Sequence, residues 1–138
     1  MSFEEEYNYH YITTWAVVDE YIASNDVFEA LLREVKELSR KKPDATMSKA
    51  KVKIVNRVLE NLLTVLEGQP EAKYLETLDD DELPQVSDAV LIMVQFKSAL
   101  ESFYDRYVQY VDGSKKWVTK ELLARLREEY EEYAEEDE

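Results

Sequence analysis

Apolar residues recur every third or fourth position along most of this chain, and the points where that rhythm breaks mark its elements. Phe28, Leu31, Leu32, Val35 and Leu38 share one helix face, Asp26 and Glu29 form a capping-box-like start before them, and Pro43 closes the segment. The next apolar set runs from Val52 to Leu66, opens at a Ser48 N-cap and stops at Gly68 and Pro70. Its arc covers about half the helical wheel, as an internal helix requires. Residues 70–78 predict a turn of helix under a connecting loop. Pro84 then suits a first helical turn, and the helix it opens is expected to reach Val111, ahead of Asp112-Gly113. After a short connector at 114–118, Thr119 caps a last helix with Leu122, Leu123, Leu126, Tyr130 and Tyr133 on one stripe.

The opening stretch, Phe3 to Ile22, carries two patterns at once. At helical spacing Phe3, Tyr7, Tyr11, Thr14, Trp15, Val18, Tyr21 and Ile22 form one stripe, whereas residues 7–18, Tyr-Asn-Tyr-His-Tyr-Ile-Thr-Thr-Trp-Ala-Val-Val, have the aromatic and β-branched enrichment of a strand. Helix is preferred because the stripe continues across Asp19-Glu20-Tyr21-Ile22, where the alternation fails. The fold expected is therefore all-α: one domain over 1–138, an irregular or up-down bundle of about five helices. Residues 128–138 would form an acidic, frayed tail.

Composition supports helices and narrows the chemistry. Two glycines and three prolines in 138 residues leave few of the turns that a large sheet would need. With no cysteine, disulfides and thiolate metal sites are excluded, and the single His10 is too little for a typical zinc or di-iron cage. No phosphate-binding glycine loop, His-Glu-x-x-His pair or Gly-x-Ser-x-Gly elbow occurs. No cofactor and no enzymatic activity are expected. The Met-Ser-Phe-Glu-Glu-Glu start lacks the regions of a signal peptide, and the longest apolar run, Ala89 to Val94, is far too short to span a bilayer. A cytoplasmic protein without membrane contact is expected.

Charge changes the picture most. The net charge of −14 hides a basic island from Arg33 to Arg57, where nine Lys and Arg face three acids. The island is net +6, which leaves −20 for the rest of the chain. Such a surface repels phosphate backbones and favours basic proteins, so direct nucleic-acid binding is disfavoured. Within the island Lys36, Arg40, Lys41 and Lys42 complement a helix C-terminus, but Lys49, Lys51 and Lys53 open the next helix against its dipole. These three are the candidate anion or self-association residues. Lys97 falls inside an apolar arc, with Glu101 one turn on as its expected partner.

Acid-rich stretches that also carry tyrosine are the candidate partner-binding surface: Tyr9, Tyr130 and Tyr133, together with Asp79, Asp80, Asp81 and Glu82. Tyrosine supplies rigid contact area while carboxylates steer a cationic partner. Tyr7, Tyr11, Tyr104 and Tyr107 are assigned to the core. The functional expectation is a non-enzymatic acidic helical binding protein that docks on and inhibits or regulates a basic partner, such as a nuclease or a nucleic-acid-binding complex. Immunity proteins, antitoxins and nucleic-acid mimics share that general character, by class analogy alone. The alternative is a helical adaptor or self-assembling subunit whose residues 40–53 contact its own acidic surfaces or nucleic acid.

Overall fold

The structure, a computed structural model, describes residues 1–136. The chain is mostly α-helical, as expected: α1 (Phe3–Glu6), α2 (Trp15–Lys41), α3 (Lys49–Val65), a 3-10 turn (Pro70–Tyr74), α4 (Val86–Tyr107) and α5 (Lys120–Glu136). An antiparallel hairpin of β1 (Val108–Val111) and β2 (Ser114–Trp117) was not expected. The residues divide into two compact units, a helical unit over Glu20–Phe103 and a hairpin unit made of Met1–Asp19 with Tyr104–Glu138.

In the helical unit the apolar rhythm becomes a buried face. Tyr21, Phe28, Leu32 and Val35 of α2, Val52, Val55, Leu59 and Leu62 of α3, and Met93, Phe96, Leu100 and Phe103 of α4 are all buried. Ser48 caps α3, its Oγ accepting the Lys51 N–H at 3.2 Å, and Gly68 takes the positive φ of 81° that ends this segment. The 43–47 and 84–87 loops are stitched by backbone bonds from Met47 N–H to Pro84 O (2.9 Å) and from Val86 N–H to Ala45 O (2.8 Å). Asn56 braces the loop after the 3-10 turn by bonding both the N–H and the carbonyl of Leu78 at 2.8 Å.

One expectation fails inside α2. The helix that should begin at Asp26 instead runs unbroken from Trp15, and Asp26 lies exposed in its interior. Nothing between Ala23 and Asp26 breaks a helix, and the Ser24 hydroxyl donates to Glu20 Oε1 one turn back at 2.9 Å. Capping residues mark a helix start only where the backbone ahead of them leaves helical geometry. Lys97 also differs from its expected pairing: its Nζ meets Glu29 of α2 at 3.5 Å, not Glu101.

The hairpin unit overturns the reading of residues 7–22 as helix up to Trp15. After the single turn of α1, residues 7–14 are non-helical and run along the hairpin with a two-residue rhythm. The Tyr7 hydroxyl donates to Asp112 Oδ1 at 2.9 Å, the Tyr9 hydroxyl to Tyr110 O at 2.6 Å, and the Gln109 side chain to Tyr11 O at 2.8 Å. Thr13 then joins the start of α5, taking the Lys120 N–H and donating its own to Val118 O, both at 3.0 Å. Val111, Val118 and Leu126 form the small core, with Phe3, Tyr7 and Tyr9 packed against it.

The expected continuation of α4 to Val111 fails for a local reason. Asp112 at φ 50° and Gly113 at φ 89° make a two-residue turn of the kind that closes hairpins, so the chain reverses and Val108 pairs with Trp117. Thr119 does cap α5, accepting the Leu122 N–H at 3.0 Å. That helix continues through Glu136, so the described part of the expected acidic tail is helical; residues 137 and 138 lie outside the described residues.

Candidate functional site

A concavity of about 560 Å³ lies in the hairpin unit and gathers both tryptophans of the chain. Trp15 stands at the first turn of α2, Trp117 ends β2, Thr119 lines it from the cap of α5 and Leu122 and Arg125 from that helix, with Lys116 and Glu121 beside them. Local chemistry fixes the parts. Glu121 Oε1 accepts the Trp15 N–H at 2.9 Å, supplying the carboxylate that a helix N-terminus favours, and Thr14 Oγ1 accepts the Val17 N–H at 3.3 Å. Trp117 is held edge-on by Tyr104, ring centroids 5.4 Å apart at 89°. Trp15 keeps 51% of its surface exposed. An indole left that open on a stable helix is an unusual placement for a residue that normally buries most of its area.

Beyond the groove, α5 turns acidic on the same side. At 100° per residue Glu121, Arg125, Glu129, Glu132 and Glu136 fall on one stripe, so a line of carboxylates leads away from the indoles. Arg125 meets Glu129 at 3.7 Å within that stripe. Tyr133, 68% exposed, flanks it.

The other expected partner-binding residues are placed differently. Tyr9 is packed and hydrogen bonded rather than free; burial, then Asp112, raises its hydroxyl pKa. Tyr130 is half-buried, donating to the carbonyl of Met1 with Phe3 edge-on at 5.9 Å. Among the three tyrosines only Tyr133 presents an open ring. Tyr11 and Tyr104, assigned to the core, are instead 39% and 43% exposed. Asp79 to Glu82 form a capped turn in the helical unit: Asp79 Oδ1 accepts the N–H groups of Glu82 and Asp81, both at 2.9 Å, and these hold its carboxyl below its usual pKa. Asp79, Asp80 and Asp81 cluster closely enough to offer three oxygens, all on the surface.

The three lysines at the start of α3 part company. Lys51 lines a cavity of about 330 Å³ with Leu38, Lys41, Lys42 and Met47, while Lys49 and Lys53 line another of about 300 Å³ with Arg57, Asn56 and Asp80. Arg40 and Lys41 pair with Glu37 at 2.5 and 3.9 Å, and Arg40 draws that carboxyl below its usual pKa. Among the described residues Lys42, Lys49, Lys51 and Lys53 form no ion pair with any of the chain's acids.

The chain matches no family model, curated protein or solved structure. Its chemistry rests on its own geometry. The two-tryptophan groove offers apolar area edged by the charges of Lys116, Glu121 and Arg125. Sequence reasoning missed Trp15, Trp117, Leu122 and Arg125. The signal available was the rarity of tryptophan itself, two in 138 residues.

Proposed function

We propose that this chain is a non-enzymatic binding protein that captures a basic segment of a protein partner, with an apolar anchor of that segment in the Trp15/Trp117 groove and its cationic side chains along Glu129, Glu132 and Glu136. The observation that carries the reading is that both tryptophans flank one concavity that continues into a carboxylate stripe. Tryptophan in a pocket supplies the anchoring energy of an interface, and rim charge supplies steering and choice of partner. Docking on a basic face that handles nucleic acid would cover that face, which is how such a protein would inhibit or regulate its partner.

The test is a fluorescence titration with synthetic Lys/Arg-rich peptides, with and without one Leu or Phe anchor. Anchored peptides should bind more tightly and change the indole emission, and binding should weaken as salt rises. Trp117→Ala should cost about 2 kcal/mol, roughly 30-fold in Kd. Equal binding of anchored and anchorless peptides, or no effect of Glu129→Lys with Glu132→Lys, would remove the basis of this reading.

A further inference from the structure

The helical unit holds a second concave surface. Two adjoining cavities of about 330 and 200 Å³ share Leu38, Met47 and Lys51, which makes one trough along α2 and α3. Its floor is apolar, and Ile54 at its edge keeps 45% of its surface exposed. Lys41, Lys42 and Lys51 ring one end. Among the described residues only Lys41 of these reaches an acid, at 3.9 Å, and that acid is Glu37, already held by Arg40 at 2.5 Å. Three ammonium groups thus border one end of an apolar floor whose other end carries Glu34, and among the described residues Lys42 and Lys51 form no ion pair.

The geometry points to the occupant of this trough being the acidic end of α5 from a second copy of the chain. That end has the complementary make-up: one open aromatic ring, Tyr133, set among Glu129, Glu132 and Glu136. The charge map favours the pairing. The island is net +6 in a chain of −14, so two copies repel on average and are drawn together only where the island of one meets the acid of the other. Local dipoles favour it too, because Lys51 in the first turn of α3 sits where a helix disfavours cations and gains most from an incoming carboxylate. Lysine stems can cover the flanks of the ring while their heads pair with glutamates. This inference does not use the tryptophan groove, but it shares Glu129, Glu132 and Glu136 with the reading above, so a basic partner and a second copy would compete for that face.

Sedimentation velocity of the full chain over a concentration series, at low and high salt, tests it. The wild type should gain mass with concentration at low salt and lose that gain at high salt. Lys42→Glu with Lys51→Glu should weaken association at least tenfold, as should Glu129→Lys with Glu132→Lys, and mixing the two charge-reversed proteins should restore it. All four positions are exposed, so circular dichroism should be unchanged. Trp15→Ala should leave association intact, which separates this result from the fate of the partner groove. A wild type that is monomeric throughout, or an oligomer indifferent to both reversals, overturns the proposal. So does a monomer that binds an added Glu-rich peptide through Lys42 and Lys51, since the trough would then belong to a foreign partner.

Discussion

The two compact units solve the same problem with different materials. The helical unit buries mostly large aliphatic and aromatic side chains without polar atoms, with Phe28, Leu59, Leu62, Met93 and Phe96 inaccessible to solvent. The hairpin unit centres its small core on Val111, Val118 and Leu126 and completes it with tyrosines whose hydroxyls reach specific acceptors. Packing without polar atoms tolerates approximate placement, whereas a hydroxyl ladder works in one register only. The second unit therefore gains definition at the expense of buried area, and it leaves the Trp15 indole open at its surface.

The sharpest break in this contrast is a cavity in the helical unit. Phe96→Ala removes a fully buried ring from the middle of α4 and should cost about 3–5 kcal/mol, read as a lowered midpoint in denaturant followed by circular dichroism. A loss under about 1 kcal/mol would mean that the site collapses around the deletion and that the helical unit does not depend on close packing. In the hairpin unit the matching weak point is backbone. Gly113→Ala places a Cβ at φ 89° where no neighbour stands within 4 Å, so its cost is conformational alone, about 1–2 kcal/mol. Since Trp15 and Trp117 both belong to this unit, indole emission is the probe to follow during unfolding.

The same contrast explains what could be read from the chain. Helices of the helical unit follow period and caps, and Ser48, Gly68 and Pro70 bound α3 because those residues act on their immediate neighbours. Thr119 is legible for the same reason. Residues 7–14 are not, because Tyr7 and Tyr9 choose an extended path only when Asp112 and Tyr110, a hundred residues on, supply acceptors. Asp112-Gly113 reads equally as a helix stop or as a two-residue hairpin turn, and the pairing of Val108 with Trp117 decides between them. Once the helix from Phe3 is replaced by one starting at Trp15, the indole leaves the inward stripe and becomes a groove wall. The groove itself joins residue 15 to residues 116–125, so no local pattern announces it.

A smaller effect tests the ladder rung by rung. Tyr9→Phe keeps the ring against the core and deletes only the bond to Tyr110 O, so it should cost about 1 kcal/mol. If Tyr9→Phe were neutral, the tyrosines would be acting as plain apolar filler, and the hairpin unit would resemble the helical one after all.

The smallest effect is a pH dependence confined to the first rung. Asp112 accepts the Tyr7 hydroxyl, and this bond, with partial burial and the repulsion of nearby negative charge behind it, pushes the phenol up from its usual value near 10 to about 12. The folded chain then holds a proton that the unfolded chain releases. The contribution is fully present below pH 10 and is lost as pH rises from about 10 through about 12, because only the unfolded state gains from ionising in that window. The difference in unfolding free energy between the wild type and Tyr7→Phe should therefore be level up to pH 10 and shrink above it. Its size is on the order of a few tenths of a kcal/mol, since solvent screens so open a pair. Other tyrosines and the lysines titrate in both proteins and cancel in the difference. A difference that stayed level above pH 10 would mean that Tyr7 does not release its proton later in the folded chain than in the unfolded one, and the ladder would then begin at Tyr9.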